Sequence, residues 1–441
     1  MLAFDFFLQA SAGSILPLQA LAKADPLEVA EPVTAQILPE GEGTTAMLGF
    51  MGSTPGPELR ARQGEQFDID VQNRIEEGSA VHWHGARRDD NMDGVPVMTQ
   101  DLIEPGDEKE YSFAAPDAAT IWYHSHQGSA EQVARGTRGP LIVEMGPPDV
   151  DHGDLTVLPD WWIIHEDGVL SDEFTNMSGD AHRGYLGNFA RASLSPVEEV
   201  AGDDRVRSRV INAATDRIFP LGRQGVDGTV VGLDGMTLVS PRQPSDLTLA
   251  PAQRADHIMD ATSPDPVGFG LISRDGRYFL PAHDVFGSNT ARWPFWIVPL
   301  LPNLADEPDA KGHVTLTMGT EDTPLHPLPQ AGMMSANIWA FNFLEILPDA
   351  PFHSPKRGET HRIQLYNDTG FPHGIHLHGH HFAADGADGS LGFLRDTTLV
   401  PAGEQRDLNC VFDNPGRWLV HCHMLGMALG GMDTWVPDAP L

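Results

Sequence analysis

A short segment near the end of the chain combines the side chains that bind copper most readily. Residues 419–432 contain two histidines, one cysteine and three methionines, namely His421, Cys422, His423, Met424, Met427 and Met432. A cysteine thiolate and an imidazole with a more distant methionine form the ligand set of a copper ion that transfers single electrons, whereas imidazoles alone suit copper that reacts with oxygen. The segment therefore contains donors for both kinds of copper site.

The residues before the cysteine have the pattern of a β-strand that follows a turn. Residues 414–416 read Asn-Pro-Gly, a turn signal, and residues 418–420 are apolar residues that suit a strand. Successive side chains in a strand point to opposite faces, so we expect His421 and His423 to share one face and Cys422 to lie on the other. A strand here would let one tripeptide contact two different copper sites.

Histidines recur in pairs separated by one residue far more often than chance predicts. Twenty histidines in 441 positions would give roughly one such pair at random. The sequence contains five pairs: His82 with His84, His124 with His126, His376 with His378, His421 with His423, and His378 with His380, which overlaps the third. If four of these pairs lie on strands, eight imidazoles could converge on one pocket. Separately satisfied histidines, the ordinary alternative, explain one pair better than four together.

Four phrases stand in the order and spacing found in three-domain multicopper oxidases, the laccase-like family. They occupy residues 81–85, 123–128, 372–379 and 421–423. The resemblance extends from about residue 45 to residue 441. It implies an all-β fold made of three Greek-key, cupredoxin-like β-sandwich domains.

The resemblance also implies two kinds of copper site, with up to four copper ions in all. A type 1 copper, which takes single electrons from small phenolic or metal-ion reductants, would be bound by His373 and Cys422. A trinuclear type 2/type 3 cluster, where dioxygen is reduced to water, would be bound by His82, His84, His124, His126, His376, His378, His421 and His423.

One expected ligand is missing from the pattern. The family has a second type 1 histidine where this chain has Met427, while Met432 stands where the axial thioether belongs. A thioether is a weaker donor to Cu(II) than imidazole and favours Cu(I). If Met427 binds copper, we expect a raised reduction potential and slower electron transfer. If it does not, the site would bind copper poorly or stay open to water.

Two other functions therefore stand beside the oxidase. One is a copper-binding relative or store with an impaired type 1 site and little oxidase activity. The other is a cupredoxin-like scaffold that has lost its metals, against which the retained histidine pairs argue.

Asp93 is a candidate for proton transfer. It lies in an Asp-Gly step, which is first of all a turn signal. Its position after His82 and His84 resembles the place where the family keeps a carboxylate near the cluster. Reduction of dioxygen to water consumes protons, which Asp93 could relay by general acid chemistry.

Composition limits the partners. A net charge of -34, from 28 basic and 62 acidic residues, would repel nucleic acid and anionic membrane surfaces. After the first few dozen residues no apolar run reaches the roughly eighteen residues of a spanning helix, so we expect no stable membrane insertion. The expected partners are a small-molecule or metal-ion reductant and dioxygen. The oligomeric state has no signal in the sequence.

The two cysteines do not indicate a disulfide framework. Cys422 must be a free thiolate in order to bind copper. Cys410 has the pattern of a small, buried strand residue.

The first 44 residues read as a leader-like segment followed by a linker. Residues 6–22 are mostly apolar or small, and Ala22-Lys23-Ala24 resembles a leader cleavage site, although the basic start of a leader is missing. We expect export, to the periplasm, by analogy with the family; a docked apolar tail is the alternative. Residues 25–44 are rich in proline and glycine and read as a linker or an extended arm.

The rest of the chain divides into three predicted β domains, at residues 45–146, 147–305 and 306–441. Clean alternation at residues 66–71 supports the strands of the first. The first and third domains each hold four of the eight predicted cluster histidines, so the cluster should lie at their interface. The middle domain would provide spacing and shape. His380 and His381 are expected behind the ligands or exposed, and the isolated histidines are expected to be structural or solvated: His165, His182, His257 and His283.

Overall fold

The structure is a computed structural model of the 441-residue chain. It describes residues 27–29, 32–38, 43–145, 152–165, 167–174, 189–194, 205–224, 226–242, 247–261, 268–273, 276–281, 312–320, 339–342, 347–385 and 392–438. The predicted leader-like residues, His182, His283 and the predicted linker after the middle domain lie outside the described residues.

The first β region, up to residue 145, forms three sheets. Its strands are β1 (Leu27–Val29), β2 (Val33–Ala35), β3 (Thr45–Met47), β4 (Leu59–Arg62), β5 (Gln66–Asn73), β6 (Val81–His84), β7 (Glu108–Ala114), β8 (Ala119–Ser125) and β9 (Arg138–Glu144). The strand orders are β1-β5-β7, β4-β9-β8-β6 and the pair β2-β3. A 3-10 turn, Asp90–Met92, and helix α1, Ser129–Ala134, interrupt the strands. The segment predicted as a linker or extended arm thus adds two short strands to the sheets.

The middle β region forms a six-stranded and a four-stranded sheet. Its strands are β10 (His152–Trp162), β11 (Phe189–Leu194), β12 (Arg205–Ile211), β13 (Phe219–Gln224), β14 (Val226–Leu233), β15 (Met236–Arg242), β16 (Leu247–Leu249), β17 (Arg254–Ala261), β18 (Gly268–Ser273) and β19 (Gly276–Pro281). The orders are β11-β10-β12-β17-β14-β15 and β16-β13-β18-β19.

The third β region repeats that arrangement. Its strands are β20 (Gly312–Thr320), β21 (Trp339–Phe341), β22 (Glu359–Asn367), β23 (His373–Leu377), β24 (Phe382–Ala384), β25 (Leu394–Arg395), β26 (Thr397–Val400), β27 (Gln405–Phe412), β28 (Gly416–Cys422) and β29 (Asp433–Asp438). The orders are β21-β20-β22-β27-β24-β25 and β26-β23-β28-β29. A short helix, α2, spans Leu425–Leu429.

Alternating side chains explain why these segments fold as sandwiches. In β5 the side chains of Phe67, Ile69 and Val71 are buried, while the intervening polar residues face solvent. The three apolar residues join a core with Trp83 and Tyr111. The all-β prediction is confirmed, as is the alternation predicted at residues 66–71.

Each β region has a main hydrophobic core of its own. On that basis we propose domain boundaries at residues 45–146, 147–305 and 306–441, with β1 and β2 added to the first domain. Cys410 is a fully buried cysteine on β27, as predicted. Among the described residues no helix is long and apolar enough to cross a membrane.

Gly379, at the end of β23, allows a close approach to the core. Its φ is +67°, and a Cβ atom there would lie 2.3 Å from the ring of Trp418. Trp418 is fully buried, and its indole N–H donates to the carbonyl of Asn414 at 2.8 Å. The indole therefore cannot move away from an added side chain without losing this contact.

We predict that Gly379→Ala lowers the free energy of unfolding by about 2–4 kcal/mol, from left-handed strain plus overpacking. Gly403→Ala is the matched control because Gly403 has φ +71° but open space around it. It should cost only about 1–2 kcal/mol. Urea unfolding of the copper-free variants, followed by tryptophan fluorescence, measures both. Equal losses would show that the contact with Trp418 contributes nothing.

Candidate metal centre

Strand pairing brings the histidines of the first β region together. In the antiparallel pair β6 and β8, His82 lies directly opposite His124, and their ring centroids are 5.3 Å apart. His84 follows two residues after His82 and shares its face. His126 follows β8, with its ring 5.4 Å from that of His82. The alternation predicted from the sequence therefore gathers these four rings.

The third β region uses the same device. In the antiparallel pair β23 and β28, His376 lies opposite His421, and Ile375 lies opposite Cys422. The rings of His421 and His423 are 5.4 Å apart on one side of the strand. The sulfur of Cys422 lies on the other side, as predicted.

The two groups of rings meet in one pocket, here called the eight-histidine cluster: His82, His84, His124, His126, His376, His378, His421 and His423. The rings of His84 and His376 stack at 3.7 Å, and those of His82 and His378 lie 4.0 Å apart. The ring of His126 lies 5.4 Å from that of His421. Seven of the eight side chains are buried, and His126 is partly buried. The predicted convergence between the two ends of the chain is present in the structure.

Most rings of the cluster donate one hydrogen bond from a ring nitrogen to a protein oxygen. Four Nδ1–H groups donate to backbone carbonyls at 2.8–3.0 Å: His82 to Asp93, His124 to Ser125, His376 to Asp396 and His421 to Cys422. A fifth, on His378, donates to Asp93 Oδ2 at 2.8 Å. Such bonds fix both the tautomer and the ring orientation, as they do behind metal ligands.

Several of the other ring nitrogens lie close to one another and have no protein partner. Five buried ring nitrogens of the cluster have no hydrogen-bond partner among the described residues: His82 Nε2, His84 Nδ1, His126 Nε2, His376 Nε2 and His423 Nδ1. Three sets of three histidines have ring nitrogens within 4.8 Å of one another: His82, His376 and His378; His82, His84 and His124; His126, His378 and His421. Leaving buried polar atoms unbonded is costly, and bound copper would satisfy them. The cluster fits a group of copper ions.

Burial keeps most of these rings neutral. It lowers the pKa of His124 to about 3 and the pKa values of His82, His84 and His423 well below their usual range. A neutral imidazole has the lone pair that binds metal, so the copper-binding form predominates at neutral pH.

Asp93 lies directly behind the cluster and is fully buried. One of its carboxylate oxygens accepts the hydrogen bond from His378, and the other pairs with the buried guanidinium of Arg88. Burial by itself would raise the pKa of Asp93, but His378 and Arg88 hold that pKa well below its usual range. Asp93 is therefore an anion in contact with the cluster. Sequence reasoning missed Arg88 because a single arginine has no spacing pattern.

Asp396 is a second buried carboxylate behind the cluster, and sequence reasoning missed it too. Its backbone carbonyl accepts the Nδ1–H of His376, and its carboxylate lies 3.2 Å from His84 Nε2. It is one of 62 acidic residues and has no distinctive spacing. Only the fold distinguishes it.

The predicted type 1 residues surround the sulfur of Cys422. His373 Nδ1 lies 3.8 Å from that sulfur, and Met427 Sδ lies 4.0 Å from it. Met432 lies in the same buried core, and its carbonyl accepts the backbone N–H of Cys422 at 3.1 Å. Burial raises the pKa of the Cys422 thiol to about 12. The structure thus brings Met427 to the position where the family pattern has an imidazole.

Four other histidines considered from the sequence, all in the described part of the chain, lie outside the two sites: His165, His257, His380 and His381. His380 and His381 are buried, so the expectation that they could be exposed is wrong. His380 Nδ1 lies 3.3 Å from the carbonyl of His378, and His381 Nε2 lies 3.9 Å from Asp396 Oδ2. Of the isolated histidines, His257 is buried on β17 and His165 is exposed.

Comparison with known proteins agrees with this geometry. Family models described as multicopper oxidase match residues 33–148 and residues 320–440. The solved structure of Lac15, from a marine microbial metagenome, is 56% identical, with a TM-score of 0.77 over 94% of this chain and all of that chain. Multicopper oxidase MmcO of Mycobacterium tuberculosis is 28% identical over 94% of this chain and 89% of its own length. Laccase-1 of Fomitopsis schrenkii is 26% identical over 93% of this chain and 86% of its own length.

These likenesses span nearly the whole chain and include the fold as well as the sequence. They confirm the cupredoxin-like β-sandwich fold and the dependence on copper. The chain belongs to the multicopper oxidase family and is a laccase-like, copper-dependent oxidoreductase that uses dioxygen.

Proposed function

We propose that the chain takes single electrons from small phenolic or metal-ion reductants at a type 1 site and uses them to reduce dioxygen to water at the eight-histidine cluster. His373, Cys422, Met427 and Met432 would hold the type 1 copper. Copper, when bound, supplies one-electron transfer at the first site and oxygen reduction at the second. The observation that carries the proposal is the tripeptide at 421–423, whose two rings lie in the cluster while its sulfur faces His373 and Met427.

The tripeptide gives a covalent connection between the two proposed sites. Cys422 is bonded through the backbone to both His421 and His423, so a few covalent bonds separate its sulfur from two cluster rings. The Nδ1–H of His421 also donates to the carbonyl of Cys422 at 3.0 Å. An electron accepted beside the sulfur would therefore have a bonded route to the cluster.

Burial and one hydrogen bond set the state of the proposed type 1 ligands Cys422 and His373. Cys422 must lose its proton to become a ligand, and its raised pKa means that copper itself must displace that proton. Thr369 Oγ1 lies 2.8 Å from His373 Nε2 and leaves Nδ1 directed at the sulfur. His373 is fully buried, so water does not compete for this nitrogen.

Asp93 would have two tasks at the cluster. Its Oδ2 holds the Nδ1–H of His378 and so orients the ring. The same carboxylate is the group that we propose relays protons to the site where water forms. Arg88 balances its charge and keeps it in place.

The reductant is proposed by class only. A chain with a net charge of -34 repels anionic reductants and favours neutral phenols or metal cations. Relatives named laccase and copper resistance protein are both similar to this chain, which supports keeping both classes. The leader-like residues support a further proposal, export to the periplasm.

Met427 supports a second candidate function, a copper-binding protein with an impaired type 1 site. Its thioether lies where an imidazole is expected, and a thioether binds Cu(II) more weakly. In that case the cluster would hold copper while electrons enter slowly or not at all. The two functions differ in whether the Cys422 site binds copper and accepts electrons.

We predict that the copper-loaded protein shows an intense thiolate-to-copper absorption band in the visible, and that Met427→His keeps the band while lowering the reduction potential. Imidazole favours Cu(II) over Cu(I) more than a thioether does. Met427→Leu is the matched variant, since it keeps the volume and removes the sulfur. It should weaken the band and the copper affinity of the site. Absorption, paramagnetic resonance and redox titration measure these changes.

Two results would decide against that prediction. A Met427→Leu protein with the parent's band and potential would show that the sulfur is not a ligand. A parent without the band, restored by Met427→His, would establish the impaired site instead.

For Asp93 we predict that Asp93→Asn reduces turnover by about 100-fold or more, within the range for loss of a proton-transfer group. The visible thiolate band should remain, because Asp93 lies behind the cluster and away from Cys422. Asp89→Asn, an exposed neighbour, is the control and should leave turnover unchanged. Oxygen uptake with a phenolic reductant measures the rate. Similar rates in the two variants would exclude a role for Asp93.

A further inference from the structure

An arginine of the middle β region, Arg254, lies behind the cluster and contacts Asp396. Arg254, the first residue of β17, is fully buried. Its Nε donates to the carbonyl of Thr120, its Nη1 to the carbonyl of Ala252 and its Nη2 to the carbonyl of Asp234, at 2.9–3.1 Å. The two remaining N–H groups donate to Asp396, from Nη1 at 2.8 Å and from Nη2 at 2.5 Å. All five donors of the guanidinium are therefore used, which fixes its position.

Asp396 connects the guanidinium of Arg254 to two rings of the cluster, those of His84 and His376. Its Oδ1, which accepts from Arg254, also lies 3.2 Å from His84 Nε2. Its backbone carbonyl accepts the Nδ1–H of His376 at 2.8 Å. The hydroxyl of Thr397 donates to Asp396 Oδ1 and lies 3.2 Å from both of these rings. His84 and His376, from opposite ends of the chain, are thus held by one residue.

The chain makes room for this contact beside the cluster. Gly85 follows His84 with φ +89°, and a Cβ there would lie 2.2 Å from Arg254 Nη2 and 2.8 Å from Asp396 Oδ2. A side chain at residue 85 would displace the guanidinium from the carboxylate. The glycine at residue 85 of the first β region therefore leaves the space in which Arg254 and Asp396 meet.

We propose that Arg254 and Asp396 are positioning residues of the copper cluster, so that the middle region, which has none of the eight cluster histidines, sets the orientation of His84 and His376. The proposal rests on the proposed role of these rings as copper ligands. It would give the middle domain a role in addition to the spacing and shape expected from the sequence.

A further metal ion between His84, His376 and Asp396 is the competing explanation, since their donor atoms lie within 4.8 Å of one another. The guanidinium of Arg254 argues against it. A cation at the carboxylate would lie beside a fixed positive charge that already occupies both oxygens. The carboxylate is therefore assigned to orientation of the rings.

The test is the copper affinity of two variants, Asp396→Asn and Arg254→Lys. An amide offers one acceptor atom and lysine cannot form a two-pronged pair with a carboxylate, so both variants loosen the contact. Copper is added to the copper-free protein in competition with a chelator, and the free copper concentration at half-loading of the cluster is measured. We expect this concentration to rise about 10- to 100-fold, the usual effect of removing a partner behind a metal ligand.

Arg209→Lys is the matched control. Arg209 is also a buried arginine of the middle region. Its Nη1 donates to the hydroxyl of Thr120 at 2.5 Å, and its carboxylate partner is Asp256 instead of Asp396. The same substitution there should change the half-loading concentration by less than about threefold, well below the effect behind a ligand. Thermal unfolding of the copper-free variants shows whether the two arginine variants are equally folded.

The outcomes are distinct. The proposal is overturned if Asp396→Asn, Arg254→Lys and Arg209→Lys all reach half-loading at the same free copper concentration. This holds whether that concentration equals the parent's or is raised equally in all three. If Arg254→Lys does not fold, Asp396→Asn alone decides by the same comparison. Failure of the parent to load the cluster would instead overturn the proposed function.

Discussion

The structure depends on the packing of eight imidazoles, four from each end of the chain, into one buried pocket. Neutral rings can be buried together only if their nitrogens find partners, because an unbonded buried nitrogen is costly. Protein oxygens satisfy one nitrogen of most rings, whereas five other ring nitrogens of the cluster have no protein partner within the described residues. This arrangement gives copper a site in which ligand geometry is set before the metal binds. It also requires the first and third β regions to stay in contact, because neither has enough rings alone.

Two aspartates hold that pocket in the same way. Asp93 accepts a hydrogen bond from His82 at its backbone carbonyl and one from His378 at its carboxylate. Asp396 accepts His376 at its carbonyl and lies next to His84 with its carboxylate. Each aspartate thus joins one ring from the first region to one from the third. Each is also paired with a buried arginine.

The two arginines come from different β regions. Arg88 comes from the first region, whereas Arg254 comes from the middle region and also bonds the first region at Thr120. We therefore propose that the middle region supports the cluster, although it contributes none of the eight histidines. The proposed type 1 residues depend less on these contacts, because Cys422, Met427 and Met432 lie in the core of the third region and His373 is buried on β23 of the same region.

The sequence predicts the histidines well and their supports poorly, for a physical reason. The paired histidines lie on a strand, as His82 and His84 do on β6, or at its end, as His421 and His423 do at β28. Their spacing of two residues therefore follows the strand geometry. The contact between Arg254 and Asp396 joins residues 142 positions apart and has no local pattern. The burial of His380 and His381 likewise follows from how β24 and its neighbours pack. Met427 could be recognised as a departure from the family pattern, but only the fold brings its sulfur to 4.0 Å from that of Cys422.

Copper analysis of the reconstituted chain together with oxygen uptake tests the central claim most directly. Both sites together should hold about four copper ions per chain, with oxygen consumed when a reductant is added. About three ions without oxygen uptake would contradict electron entry at Cys422. A chain that binds no copper would contradict the account of the eight-histidine cluster altogether.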